Sequence, residues 1–386
     1  MSLKGLFKLR NEIPPIQRNI LMIGGILFIL AVWVLLTTPL KDNPLLNDPT
    51  LLPPEGMTIE AYKATLVKKI PLVQSAILPP PAKVVSAFFE SIEKRSLIQC
   101  TTMSLALNLG GYFKAIMWAL PLGFLIGLIP FFNGAFQKIV DSLRFLPLTA
   151  ITSLFIIWFG IGSAMKMNFL AFGIIIYLLP TIVQRINEVD DVYIKTVHTL
   201  GASSWQKVWS VYFPSVISKL IDDIRVLTAI SWTYIIVIEN IGSQKGLGQL
   251  IWSTGQRQAR ADVIFAVLIL IMVIGVFQDR IFSYLDRVIF PYKYQAKVAY
   301  GQANLVHEVS IWDNIFDYVI QSLQYIFIGI YILLAINEVF PFLGELKPLS
   351  YLFGDRLWVI HVLFVLILIL VFKKPIKMLI QRVWKY

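Results

Sequence analysis

The sequence predicts an all-helical protein that crosses a membrane many times. Hydrophobic residues make up 57% of its 386 positions and charged residues only 15%, with a mean hydropathy of +0.72. A soluble domain carries about 25% charged residues. Eight apolar runs are each long enough to be read as spans, and Lys and Arg gather at their ends. That placement also explains the formal net charge of +11: it belongs to loops beside membrane lipid and excludes nucleic acid as the partner.

The first span covers about Asn19 to Leu36, behind Lys4, Lys8, Arg10 and Arg18. It lacks a small-residue cleavage site and reads as an anchor with a cytoplasmic N-terminus rather than a signal peptide. A Pro-rich stretch follows on the opposite face, with Thr58 to Lys69 expected as a short surface helix and Pro79-Pro80-Pro81 near its end. Further spans are expected at about Tyr112–Phe131, Phe145–Gly160, Asn168–Val183, Ile221–Ile241 and Val263–Gln278. After a polar stretch come two more, about Tyr318–Phe340 and Leu357–Phe372, and then the basic cluster Lys373, Lys374, Lys377, Arg382 and Lys385. That cluster places the C-terminus in the cytoplasm too. The single Cys100 excludes an internal disulfide framework, and three separated His residues make no metal constellation.

Between the fourth and fifth spans lies the polar interval Asp191 to Pro214. Tyr193, Val197, Leu200, then Trp205, Val208 and Trp209 recur at three- and four-residue steps, the period of a helix. Gly201 interrupts them, so the interval reads as helix, turn and second helix, with Gly201 in the left-handed conformation that closes a helix. A helix pair of this kind, apolar on one face and polar on the other, either packs on its own bundle or offers anchors to a partner.

The spacing Gly201, Val211, Phe213, Pro214 resembles the cytoplasmic coupling loop of ABC importer permeases. The family's Glu-Ala-Ala falls on Lys195, Thr196 and Val197, and Phe213 stands for its usual Leu. Other segments are similar to the nitrate/sulfonate/taurine/bicarbonate-type branch: Leu78-Pro-Pro-Pro-Ala-Lys-Val-Val, Phe145-Leu-Pro-Leu-Thr, Trp158-Phe-Gly-Ile-Gly, and Gly246-Leu-Gly-Gln-Leu-Ile. Together they cover about Leu78 to Pro291, in order.

The resemblance implies a six-helix type I importer permease core plus two extra C-terminal helices. The divisions are then residues 1–37, N-terminus and first span; 38–100, extracytoplasmic; 101–291, permease core with its coupling helix at about 191–205; and 292–386, linker and two added spans. It implies a bacterial inner-membrane location and three partners: ABC ATPase subunits, a second permease copy and an extracytoplasmic solute-binding protein. The solute is a small one, anionic by that likeness. The chain carries no phosphate loop, the Gly-rich Asn240 to Gly248 lacking the required spacing. It is therefore not expected to be an enzyme or to bind a cofactor, with ATP and Mg on the ATPase.

Tyr193, Val197, Leu200, Gly201, Ala202, Ser203, Trp205 and Pro214 are the ATPase-coupling residues under this reading. Ionisable groups inside spans are candidates by default. Glu239 either lines or gates the path, or sits in the outer headgroup layer; Trp232 either touches solute or packs between helices. Arg225 is a family position or a basic anchor, Lys114 is placed near the outer end of its span where it either snorkels or attracts an anion, and Glu338 receives no role. The final two spans, poor in polar groups, are expected to be peripheral to the path. An ion-coupled secondary transporter is the alternative, but it requires carboxylates or His in mid-span, which are essentially missing here.

Overall fold

A computed structural model describes residues 15–43, 62, 69–242, 244–293, 311–341 and 347–383. The expected surface helix at Thr58 to Lys69, the linker at 294–310 and Lys385 lie outside the described residues, apart from Tyr62 and Lys69. The chain divides into two compact units, Met1–Lys94 with Ser253–Leu268, and Arg95–Trp252 with Ile269–Tyr386.

In the first unit, α1 (Pro15–Thr37) presents exposed apolar side chains such as Phe28 and Ile29 along its length, as a helix in lipid does. Its end is tied down: the Trp33 indole donates to the Pro79 carbonyl at 3.0 Å, and Trp33 packs on Phe265 with ring centroids 5.9 Å apart. The Pro-rich segment adds an element that its sequence does not advertise, an antiparallel ribbon of β1 (Pro39–Asp42) and β2 (Lys69–Pro71). Proline is tolerated there because a two-stranded ribbon is all edge. Helix α2 (Pro81–Arg95) follows, opened by a proline at its first position. Arg260 joins Glu90 at 2.9 Å and Asp262 at 2.8 Å.

The second unit is built on α3 (Leu97–Leu128), 32 residues that start well before the expected Tyr112. The early turns carry Gln99, Thr101, Thr102 and Ser104, too polar to read as membrane from hydropathy, yet helical because they pack. The next pair, α4 (Pro130–Leu143) and α5 (Leu148–Phe159), bends by 107° at its break. This corrects the expected third span: α5 has only 12 residues, about 18 Å of helix against roughly 30 Å of hydrocarbon, and Pro147 sets the corner. Helix α6 (Ser163–Asn187) then returns across the unit.

The α3–α6 contact rests on a ladder. Gly111, Ala115, Ala119, Gly123 and Gly127 recur every four residues on α3, and Ala115 and Ala119 are 0% exposed. On α6, Leu170, Ile174, Leu178, Ile182 and Ile186 repeat the step, all buried. A Cβ built on Gly111 would lie 2.6 Å from Leu170, on Gly123 2.5 Å from Ile182, and on Gly127 2.6 Å from Ile186. Small residues let the two backbones approach, and dispersion contacts hold them where lipid supplies no hydrophobic drive.

Short helices α7 (Asp191–Thr199) and α8 (Ser204–Lys207) lead through a π-helical turn at Val208–Tyr212 into α9 (Phe213–Glu239). Next are α10 (Leu247–Leu250) and α11 (Ala261–Ile289), which begins in the first unit and ends in the second. Among the described residues, six helices or helix pairs are long and apolar enough to cross a membrane: α1, α3, α6, α11, α12 (Ile311–Val339), and α13 (Pro348–Phe353) with α14 (Leu357–Val383); the bent pair, counted as one span, raises this to seven. The expected fifth span, α9, is not among them, because Lys219, Asp222, Asp223 and Arg225 charge its first half.

The C-terminal helices are joined to α3. Gln99 donates to the Tyr351 carbonyl at 2.6 Å and Thr102 to that of Leu352 at 2.8 Å. Phe113 meets Trp358 edge to face. Tyr331 stacks on Phe364 at 4.0 Å and pairs with His361. Glu338 acts as a helix cap, its carboxylate accepting from the Ser350 backbone N–H at 2.8 Å in the first turn of α13.

Gly123→Leu should lower the thermal midpoint of the purified protein in detergent, since forcing extra carbons into a filled contact costs about 1–3 kcal/mol. Gly134→Ala in α4, whose Cβ would meet nothing within 4 Å, is the control and should leave the midpoint unchanged or slightly raised. Equal midpoints for the two variants would show that the ladder is not a close contact.

Candidate functional site

The interval Asp191 to Pro214 folds as its sequence dictates. Asp190 caps α7 by accepting from the Val192 N–H at 2.9 Å. Gly201 stands at φ +81°, with its N–H on the His198 carbonyl and the Ala202 N–H reaching back to Val197, both at 3.0 Å. This is the Schellman closure that wants a glycine. Ser203 and Gln206 form a reciprocal capping box that starts α8 at once. The second helix does not stop at Phe213-Pro214. Pro214 sits in the first turn of α9, half-buried, and the helix runs on without a gap to Glu239.

The coupling candidates divide by exposure. Tyr193, Leu200 and Trp205 are 61%, 80% and 68% exposed, while Val197 and Ala202 are half-buried. Trp205, Trp209 and Phe213 form an aromatic ladder with centroids 5.6 and 4.9 Å apart, and Phe213 lies 5.9 Å from Phe124 of α3. Behind them Arg185 grips Asp223 at 2.6 Å and Glu188 at 2.7 Å, and Lys219 joins Glu188 at 3.4 Å. The guanidinium of Arg185 holds the Glu188 carboxyl below the usual carboxylate range. Arg225 binds Asp279 of α11 at 2.8 Å, so it ties two helices together besides marking the basic end.

At the other end of the unit, Glu239 is 0% exposed. The Ser104 hydroxyl donates to it, 2.8 Å from each oxygen, and the Gly248 N–H donates at 3.0 Å. The Leu247 N–H in turn donates to Ser104 at 2.9 Å. A side chain at Gly246 would fall onto the carboxylate, so that close approach explains the glycine. Glu239 thus fastens the end of α9 to α3 and to the loop before α10. Trp232 is also buried, its indole donating to Gln278 of α11 at 2.8 Å. The two path candidates are not brought together in one open channel.

Several residues were missed from sequence. Lys166 and Arg356 are 0% and 1% exposed. Arg356 donates to the Met103 carbonyl at 2.6 Å and reaches Gln244 at 3.5 Å, and Ser163 donates to the same Gln244 oxygen at 3.3 Å. The C-terminal pair, expected to be peripheral, therefore sends a cation into the end of the unit that holds Glu239. The signal available was Arg356 at the head of an otherwise uncharged run. Lys114 lies about 25 Å along α3, which begins at Leu97. Its ammonium donates to Asn168 of α6 at 3.0 Å.

Residues 119–290 match the family model described as binding-protein-dependent transport system inner membrane component. The taurine transport system permease protein of Escherichia coli is 27% identical over 214 residues, 54% of this chain and 78% of that one. A putative ABC transporter permease protein of Methanocaldococcus jannaschii is 30% identical over 204 residues, 52% and 76% of the two chains. A putative aliphatic sulfonates transport permease protein of Bacillus subtilis is 26% identical over 226 residues, 58% and 80%. ATP hydrolysis in such systems lies on a separate subunit, and the secondary-transporter alternative falls away. With many apolar helices, a capped and exposed helix pair at the basic end and these relatives, the chain belongs to the family of inner-membrane components of binding-protein-dependent transport systems, and it is the multi-pass permease of an ABC transporter.

Proposed function

We propose that the chain imports a small anionic solute delivered by an extracytoplasmic binding protein, working as a pair of identical permease subunits on two ATPase subunits. In this reading α3, α5, α6, α9 and α11, with the first span α1, form the six-helix type I core. The C-terminal hairpin is an addition to it, with both termini cytoplasmic in a bacterial inner membrane. ATP and Mg belong to the ATPase, and the domain divisions at residues 37, 100 and 291 follow the same scheme. The names of the taurine and aliphatic sulfonates relatives support an anion as cargo.

The observation that carries the coupling role is the exposure of Tyr193, Leu200 and Trp205 at the basic end of the unit. Large apolar side chains held rigidly out of a polar helix pair are what a groove on a partner recognises. Gly201, Ala202 and Ser203 form the tight turn that sets the angle between α7 and α8. Pro214 opens the long helix that leaves the docked end. Val197 anchors α7 from its inner face. On the opposite side, Glu239 serves the gate rather than an open path, and Trp232 steadies α9 against α11 beneath it.

Gly201→Val should strain the turn by about 1 kcal/mol or more, with no steric clash to confuse the result, because nothing lies within 4 Å of the added Cβ. The protein should insert normally, while uptake and binding-protein-stimulated ATPase activity of the reconstituted complex fall together. Wild-type uptake by this variant would remove the turn from the coupling path.

Glu239→Gln keeps the shape but leaves one oxygen to serve both Ser104 and Gly248, and it adds an N–H₂ facing donors. An unmet buried polar group costs about 1–3 kcal/mol. The variant complex should assemble yet show raised basal ATPase activity or altered uptake. A variant matching wild type in thermal midpoint, basal ATPase and uptake would deny Glu239 both the clamp and the gate.

A further inference from the structure

We propose that Lys114 and Asn168 hold the acidic head of the transported solute, a small organic anion such as a sulfonate, in an aromatic cleft between α3, α5 and α6. This deepens the anion-importer reading and rests on it.

The cleft measures about 270 Å³ and is lined by Lys114, Trp118, Phe155, Trp158, Asn168 and Phe172 among others. Its volume lies just below the range of about 300–1,000 Å³ typical of ligand sites, which suits a small solute. Lys114 is half-buried at its wall, and its hydrogen bond goes to the neutral amide oxygen of Asn168 at 3.0 Å. A cation within a span without a carboxylate beside it is costly and marks a pathway or ligand counter-ion. Five cations deeper in the second unit are placed differently. Arg185, Arg225 and Arg287 have Asp223, Asp279 and Asp317 beside them, and Lys166 and Arg356 are closed off from any cleft by burial.

The walls carry matching chemistry. Lys114 supplies charge but only point-like donors. Asn168 accepts from it through Oδ1, which leaves the two N–H bonds of its Nδ2 to donate towards an oxyanion. Trp118 and Trp158 are 59% and 62% exposed towards the cleft side of the helices, and they offer flat apolar faces to a short alkyl chain. Asn168 is the sixth residue of α6, on the half of the unit that carries Glu239 and, in the importer reading, faces the binding protein. An incoming anion therefore meets this pair before it has crossed.

The test uses the complete complex of permease, ATPase and binding protein in proteoliposomes, with taurine and ethanesulfonate as probes at saturating loaded binding protein. The readout is solute imported per ATP hydrolysed. Lys114→Gln should lower that ratio at least about tenfold, since removing one partner of a desolvated charge contact costs a tenfold factor or more, while assembly and binding-protein-stimulated ATPase stay near wild type. Lys114→Arg should restore most of the ratio, and Asn168→Leu should lower it without abolishing it. If wild type imports either probe and Lys114→Gln imports it at the same ratio, the cleft is not the anion site. If wild type imports neither probe nor any other organic anion, the anion reading falls and takes this proposal with it. A loss shared by Lys114→Gln and Lys114→Arg together with failed assembly would assign Lys114 to packing and overturn its role as a ligand.

Discussion

The close approach of α3 and α6 is the constraint on which the second unit depends. Two helices in lipid gain nothing from hiding apolar surface, so they associate only where side chains fit. Here one helix gives up side chains every four residues and the other fills the space with Leu and Ile at the same step. The fit fixes the register of the pair. That register places Lys114 opposite Asn168 and Gly173 against Tyr234 of α9. It also puts Ser104 where the end of α9 arrives. A slip by one helical turn would separate all three.

The polar chemistry of the unit is sorted by end. At the basic end Arg185, Lys219 and Arg225 hold carboxylates across element boundaries at partly exposed positions, each worth little singly, while Lys293 holds the buried Asp286. At the other end Glu239 is wholly buried, where hydrogen bonds decide whether a charge is tolerable. Ser104 of α3 and Gly248 of α10 donate to it directly, and the Leu247 N–H holds Ser104 in place. Losing one donor leaves a buried carboxylate short of partners, at a cost of about 1–3 kcal/mol.

Much of this was legible in the sequence, and the failures have physical causes. The class followed from composition, and the α7–Gly201–α8 turn from periodicity and a single glycine. Those signals are local. Hydropathy failed at the first turns of α3, where polar residues are helical because they pack against the α13–α14 corner through Gln99, Thr102 and Met103. It failed again at α5, which is apolar enough for a span but cut to 12 residues by Pro147 and Gly160. Lys166 and Arg356 were unreadable because nothing in a one-dimensional pattern tells a buried cation from a snorkelling one. The burial of Glu239 was not legible, because it depends on Gly246 and Gly248 folding back over it.

The same contacts set how far a movement can travel. From Ser204 through the π-helical turn to Glu239 the chain is helical without interruption, a rod of about 50 Å. Trp205, exposed, stands near one end, and the buried carboxylate ends the other. The rod is held along its length by Trp209 and Phe213 near α3, by Arg225 to Asp279 and by Trp232 to Gln278. The regular α-helical ladder changes at the π-turn, close to Trp209. A partner that pulls on the exposed aromatic end therefore acts on a lever whose far end is the clamp. Under the coupling role proposed above, the end that meets the ATPase and the end that carries the Glu239 clamp belong to one continuous run of helix.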